Sequence, residues 1–131
     1  MKRVLAAVAV VALLAGCQRA EPIQAVSQQP VPQGLMQKLA PGGYDKLYAE
    51  AALSKGWRPE QVGPGRLRAS ITIRGTHRLT VDIVYNSAIY DIGVVSSENL
   101  NQADGKIHPA ANTAIRGLRD AIDAALSRAA F

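Results

Sequence analysis

Ser97, Asp104 and His108 place a hydroxyl, a carboxylate and an imidazole inside one stretch, SSENLNQADGKIH, residues 96–108. In the right geometry these three types attack an acyl carbon: the imidazole takes the hydroxyl proton and the carboxylate orients the imidazole. The stretch lacks the Gly-x-Ser-x-Gly elbow that holds such a serine on a strained turn, and no pair of oxyanion donors is evident. Three polar residues in one loop are also expected by chance, so no catalytic residue is assigned. Ser97, Glu98, Asn99, Asn101 and His108 are instead candidate binding residues, because this connection is longer than most and long ordered loops often carry function. The competing reading is structural. Ser and Asn hold turns through their own backbone, Asp104-Gly105 is a turn signal, and Leu100 and Ile107 are apolar enough to pin the loop to a core.

Metal chemistry has little to work with. His77 and His108 are the only histidines, and no His-x-x-His or His-x-x-x-His spacing exists. No metal and no cofactor are expected, and His108 is a candidate cap for the helix that follows it. Arginines are the richer set. Arg66, Arg68, Arg74 and Arg78, with Lys55 and Arg58, make the first half of the sheet basic, balanced there only by Glu60. Such a face suits anionic lipid heads, cell-wall phosphates or an acidic protein, or it is a solvated face whose charges protect a sheet edge. No aromatic residue is interleaved with these arginines, which argues against nucleic acid.

One cysteine, Cys17, follows a charged start (Lys2, Arg3), an apolar run from Val4 to Leu14, and the small residues Ala15 and Gly16. That order is a secretory signal peptide, and the run is too short to span about 30 Å of hydrocarbon. The residues LAGC, 14–17, resemble the lipobox of bacterial lipoproteins. The resemblance implies cleavage before Cys17 and attachment of a diacylglycerol to its thiol, usually with a third chain on the new amine. Two or more fatty chains anchor a protein stably, whereas one holds it only marginally. Gln18 stands where an inner-membrane retention signal would have Asp, so the resemblance implies outer-membrane sorting. The formal net charge of the chain is +5; losing Lys2 and Arg3 with the leader lowers it by two and leaves the mature chain mildly basic.

The elements that must position these residues follow from periodicity. Residues 17–43, which include EPIQAVSQQPVPQG, have the proline- and glutamine-rich composition of a tether without a core of its own. Tyr44, Leu47, Tyr48 and Ala51 form one helical stripe over 44–55, closed by Gly56 as a left-handed cap with Trp57 folding back as a core anchor. WRPEQV, 57–62, is an edge strand at best, because Pro59 cannot donate to a ladder. RLRASITIR (66–74) and HRLTVDIVY (77–85) alternate strictly, with arginines on one side and apolar residues on the other. A two-residue turn at Asn86-Ser87 would set Ile83 opposite Tyr90, Val81 opposite Ile92 and Leu79 opposite Val94, ending the last strand near 95. Pro109 suits the first turn of a final helix whose apolar stripe runs from Ala111 to Ala129, with Asp120 and Asp123 read as solvated.

The expected fold is therefore α+β, a two-layer α-β-β-β-β-α domain over 44–131. A four-stranded antiparallel meander carries both helices on one face. Residues 1–16 are the leader and 17–43 the lipidated cysteine with its tether.

The folded part also resembles a group of small, uncharacterised bacterial envelope lipoproteins. The shared positions are Gly56-Trp57 at a helix end, Arg74 and His77 around a hairpin, Tyr90 and Ile92 on a strand, Ser97, Asn99 and Leu100 in the loop, Lys106-Ile107-His108, and Asn112 in the last helix. The chain departs from that pattern at Ala111, Ala114 and Asn101, where aromatics are expected. The resemblance implies a fold and a place in the envelope and no activity. The expected function is thus a non-enzymatic binding or accessory module, held at the membrane by its N-terminal lipid. Its partner would be an envelope protein or an anionic polymer. A small hydrolase using 96–108, or a binder of anionic lipid or cell-wall polymer through the arginine face, are the alternatives.

Overall fold

The structure, a computed structural model, describes residues 20–131. The leader over 1–16 and Cys17 lie outside the described residues. Seven strands and two helices follow in order: β1 (Glu21–Pro22), β2 (Val26–Pro30), a 3-10 turn (Leu35–Gln37), α1 (Gly43–Ser54), β3 (Arg58–Gly63), β4 (Arg66–Ile73), β5 (His77–Tyr85), β6 (Ile89–Glu98), β7 (Lys106–Ile107) and α2 (Pro109–Ala130). The α+β class and the antiparallel sheet are as expected. The strand count is not: the main sheet has five strands in the order β2-β6-β5-β4-β3, and β1 pairs with β7 in a separate two-stranded sheet.

The added strands come from the segment read as a tether. Over its described part, residues 20–43, that reading is corrected. β2 lies antiparallel along β6, with Val26 opposite Ile92 and Pro30 opposite Ile89, and β1 pairs Glu21 with Ile107. Val26, Val31 and Leu35 are buried in the common core. Asn112, the buried polar residue of α2, fastens the segment. Its Oδ1 accepts from the Gln24 N–H at 2.8 Å, and its Nδ2 donates to Glu21 Oε1 and the Pro22 carbonyl, both at 2.9 Å. A proline- and glutamine-rich segment cannot make a core alone; here three apolar side chains and one buried amide borrow the core of the domain.

Strict alternation produces β4 and β5. Leu67 and Ala69, then Leu79, Val81, Ile83 and Tyr85, are buried, while the residues between them face away. α1 and α2 lie on the buried face and pack on each other. Gly65 is required at the β3–β4 turn, since its φ is +65° and a Cβ there would meet the Tyr85 carbonyl at 2.7 Å. The Tyr85 N–H donates to the Gly65 carbonyl at 2.9 Å. That bond sets the phase of the ladder. Odd-numbered residues of β4 bond β5, and even-numbered ones turn their backbone groups toward β3. Pro59 stands opposite Ala69, so its missing N–H falls on the outer edge and costs no ladder bond.

The β5–β6 register differs from expectation by two residues. Tyr85 pairs with Tyr90, Ile83 with Ile92 and Val81 with Val94. The cause is Asn86, whose Oδ1 accepts from the N–H groups of Ala88 and Ile89 at 2.8 and 2.9 Å. This Asx turn widens the loop beyond two residues. A slip of two keeps the same side chains inward. The ladder then shifts between Val81 and Thr80, leaving Val95 as an extra, exposed residue and setting Thr80 opposite Ser96. β6 runs on to Glu98, so the loop expected over 96–108 is shorter and is partly strand at both ends.

The core is aromatic beneath the helices. Tyr48 stacks on Tyr85 with ring centroids 4.2 Å apart and meets Tyr90 edge-on at 5.7 Å. Trp57 is buried, and its N–H closes the end of α1 on the Ala52 carbonyl at 3.1 Å, as the Gly56 cap implied. Asp123 is not a solvated residue: it accepts from the Tyr90 hydroxyl at 2.5 Å and from Gln29 Nε2 at 3.2 Å.

Candidate functional site

The fold divides the residues singled out by sequence. The Ser97–Asp104–His108 combination is not assembled. Ser97 Oγ donates to Gln102 Oε1 at 2.5 Å. His108 Nδ1 accepts from the Ala110 N–H at 3.0 Å and caps α2, so that nitrogen carries no proton. Asp104 is exposed in a turn with φ +53°. Leu100 and Ile107 are buried and pin the loop. Asn99 and Asn101 adopt positive φ, and Asn99 Nδ2 donates to the Thr76 carbonyl at 2.8 Å. Asn99 thus ties the loop to the β4–β5 turn, and Asn101 is exposed. His77 donates through Nδ1 to the Asn99 carbonyl at 2.6 Å and stacks on His108 with centroids 5.9 Å apart. Each of these contacts holds the loop in place. Among the described residues no three His, Cys, Asp or Glu side chains gather as a metal site would require.

The arginines fare differently. On the face of the sheet turned away from the helices, the register sets three rows across the strands. Glu60, Arg68 and Asp82 form one; Arg58, Ser70, Thr80 and Ser96 the next; Thr72, Arg78 and Glu98 the third. Arg68 is spent within the face. Its Nε and Nη2 meet the two Asp82 carboxylate oxygens at 2.8 and 3.2 Å, and this pairing raises the already high pKa of the guanidinium. Arg66 lies at the opposite end of β4, in a row with Val84 and Asp91. Arg74 sits in the β4–β5 turn with φ +53°. The expectation of one continuous basic face is therefore corrected, because Asp82, Asp91 and Glu98 share that face and cancel much of its charge.

What remains is a corner. Arg58 and Arg78 take part in none of the ion pairs among the described residues, which are Lys46–Glu50, Arg68–Asp82 and Arg119–Asp120. Both arginines line an open, polar pocket of about 480 Å³ together with Gly56, Ser70 and Thr72. The last β3–β4 pair is Arg58–Ser70. Thr72, an even-numbered residue of β4, thus turns its backbone groups past the end of β3 and toward the pocket side. The corner presents two guanidinium groups, two hydroxyls and a strand end around one space, and Lys55 precedes Gly56 at the close of α1. Such a donor set suits an oxyanion. Arg58, which the sequence offered only as a supporting charge of the basic face, belongs to this site together with Ser70 and Thr72, which it did not single out; the missed signal was the register of Arg58 opposite Ser70.

A second, larger groove of about 550 Å³ runs between α1 and α2, lined mostly by Leu39, Leu47, Ala51, Ala125 and Ala129. Of its polar groups, Lys46 pairs with Glu50 and Ser54 Oγ donates to the Ala51 carbonyl at 2.6 Å, while Arg128 stands at the rim.

The tyrosines are perturbed for structural reasons. Burial, reinforced by its hydrogen bond to Asp45, pushes the Tyr85 hydroxyl up to about 12. Burial likewise drives Tyr48 and Tyr90 upward, with Asp123 adding to the effect on Tyr90. The Tyr85 and Tyr90 hydroxyls are taken up by Asp45 and Asp123 at the margin of the core.

No protein-family model, no curated protein and no solved structure matches this chain. No helix among the described residues is long and apolar enough to cross a membrane.

Proposed function

We propose that this chain is a lipid-anchored envelope lipoprotein whose small α+β domain binds a partner and catalyses no reaction. The observation that carries the proposal is the LAGC stretch ending at Cys17, preceded by a complete leader pattern. The docked segment gives this reading a geometry. Ala20 is the first described residue and lies three positions after Cys17, so no more than about 10 Å of extended backbone separates Cys17 from it. A domain so close to its anchor works at the membrane surface and does not reach across the envelope. Gln18 favours the outer membrane where the cell has two.

A binding role is supported by the side chains. The polar loop residues serve turns, caps and anchors, and the Arg58–Arg78 corner holds unpaired charge over an open pocket. The test is crosslinking in cells from a photoreactive residue at position 72, with position 62 at the far end of β3 as control. One reproducible envelope component recovered from 72 and not from 62 is the expected result. Equal recovery from both positions would refute a directed surface.

A further inference from the structure

We infer that the Arg58–Arg78 corner is a phosphate site, and that its ligand is the headgroup phosphate of an anionic membrane lipid. The inference deepens the reading of the domain as an anchored binding module, and the choice of a lipid source rests on that reading. The pocket itself does not.

The donor set comes first. A phosphate presents several acceptor oxygens, and guanidinium groups match pairs of them with parallel hydrogen bonds. Arg58 and Arg78 approach one space from β3 and β5, with Ser70 and Thr72 of β4 between them. Arg68, one row away, is held by Asp82 and is not available. Glu98 lies across from Arg78 in the register but forms no ion pair with it among the described residues.

Placement then selects the source. Where the described chain begins, Glu21 pairs with Ile107 and the Ile23 N–H donates to the Gly105 carbonyl at 3.0 Å. From there His108 stacks on His77, and Asn99 bonds the turn that contains Thr76. His77 adjoins Arg78. A continuous set of contacts therefore joins the anchored start of the chain to the corner, both at the same end of the sheet. The start of α2 also lies beside the end of β4, where Ile71, Ile73 and Ala114 line a common cleft. A lipid on Cys17 would hold this end at the headgroup layer, where phosphates are dense and cationic side chains are attracted.

The experiment uses the full chain in maltoside micelles. Backbone amide shifts are followed while phosphatidylglycerol is added to the micelle, and in a separate series while inorganic phosphate is added to the solution. The expected result is a saturable response centred on Gly56, Arg58, Ser70, Thr72 and Arg78 with the lipid. Arg58→Gln or Arg78→Gln should raise the half-saturating lipid fraction about tenfold, the share of one charge-assisted hydrogen bond. Arg66→Gln removes the same charge at the other end of the face and should change it less than about twofold, since exposed charges that far away are screened. An equal loss in Arg66→Gln would show diffuse attraction and overturn the site. Saturation by inorganic phosphate with no response to the lipid would overturn the headgroup assignment. The anchor is judged separately by whether a fatty-acid label is lost in Cys17→Ser, so failure of one reading is distinguishable from failure of the other.

Discussion

Asn112→Ala should loosen the whole N-terminal segment while leaving the eight-pair ladder of β4 on β5 intact at its centre. Asn112 is fully buried and makes three hydrogen bonds, all to residues 21–24. A typical hydrogen bond contributes about 1 kcal/mol net, so three suggest about 3 kcal/mol. The loss has a ceiling. If the segment peels away, the Gln24 N–H and the Pro22 carbonyl regain water, and the remaining cost is the burial given up by Val26, Val31 and Leu35. Each fully buried aliphatic side chain is worth about 1.5–3 kcal/mol. The expected destabilisation is therefore about 2–4 kcal/mol. The assay pairs urea denaturation with amide hydrogen exchange. Exchange should rise first in residues 21–31, with β5 least affected. Asn112→Asp keeps the acceptor for Gln24 but loses both donor bonds and sets a charge beside Glu21, so it should be no milder. If the native segment already exchanges like free chain, or if Asn112→Ala costs under about 0.5 kcal/mol, the docked segment and the reasoning built on it are wrong.

Other perturbations read other parts of the fold. His108→Ala removes the cap that accepts the Ala110 N–H and should cost about 1 kcal/mol in urea denaturation, with Asn at the same position restoring most of it. Trp57, the single tryptophan, is buried; its emission should resist acrylamide, and Trp57→Ala should destabilise by about 3–5 kcal/mol. The raised Tyr85 hydroxyl, near 12 in the fold against 10 when unfolded, stabilises the folded state fully below pH 10. That contribution is lost as pH rises from 10 through 12. Tyr48 and Tyr90 shift in the same direction. Tyrosinate absorbance should therefore appear together with the loss of far-UV structure; full ionisation near pH 10 in a folded chain would contradict the buried cluster.

Local pattern made the middle of the chain legible. The alternation in RLRASITI and HRLTVDIVY picked out the buried Leu67, Ala69, Leu79, Val81, Ile83 and Tyr85, although Ile73 at the end of β4 lies outside the core, and Gly56-Trp57 marked the end of α1. The β5–β6 register was legible only to within two residues, because either Asn86 turn keeps the same inward set. Composition misled at the N-terminus. Glutamines and prolines describe a chain that cannot fold alone, while the partners that fold it, Asn112 and Asp123, lie far along the sequence. The same distance hid the roles of those two residues. Among the arginines, sequence supplied the set and the fold sorted it. Arg68 met Asp82 across the ladder, Arg74 entered a turn, and Arg58 joined Arg78 only because Ser70 and Thr72 stand between β3 and β5.

The anchoring of this domain through Cys17 is tested most directly by metabolic labelling with a clickable fatty acid in a bacterial host with a lipoprotein pathway. The native chain should carry the label in the membrane fraction, and Cys17→Ser should carry none. Label that persists in Cys17→Ser, or a native chain that takes up none, would contradict the account.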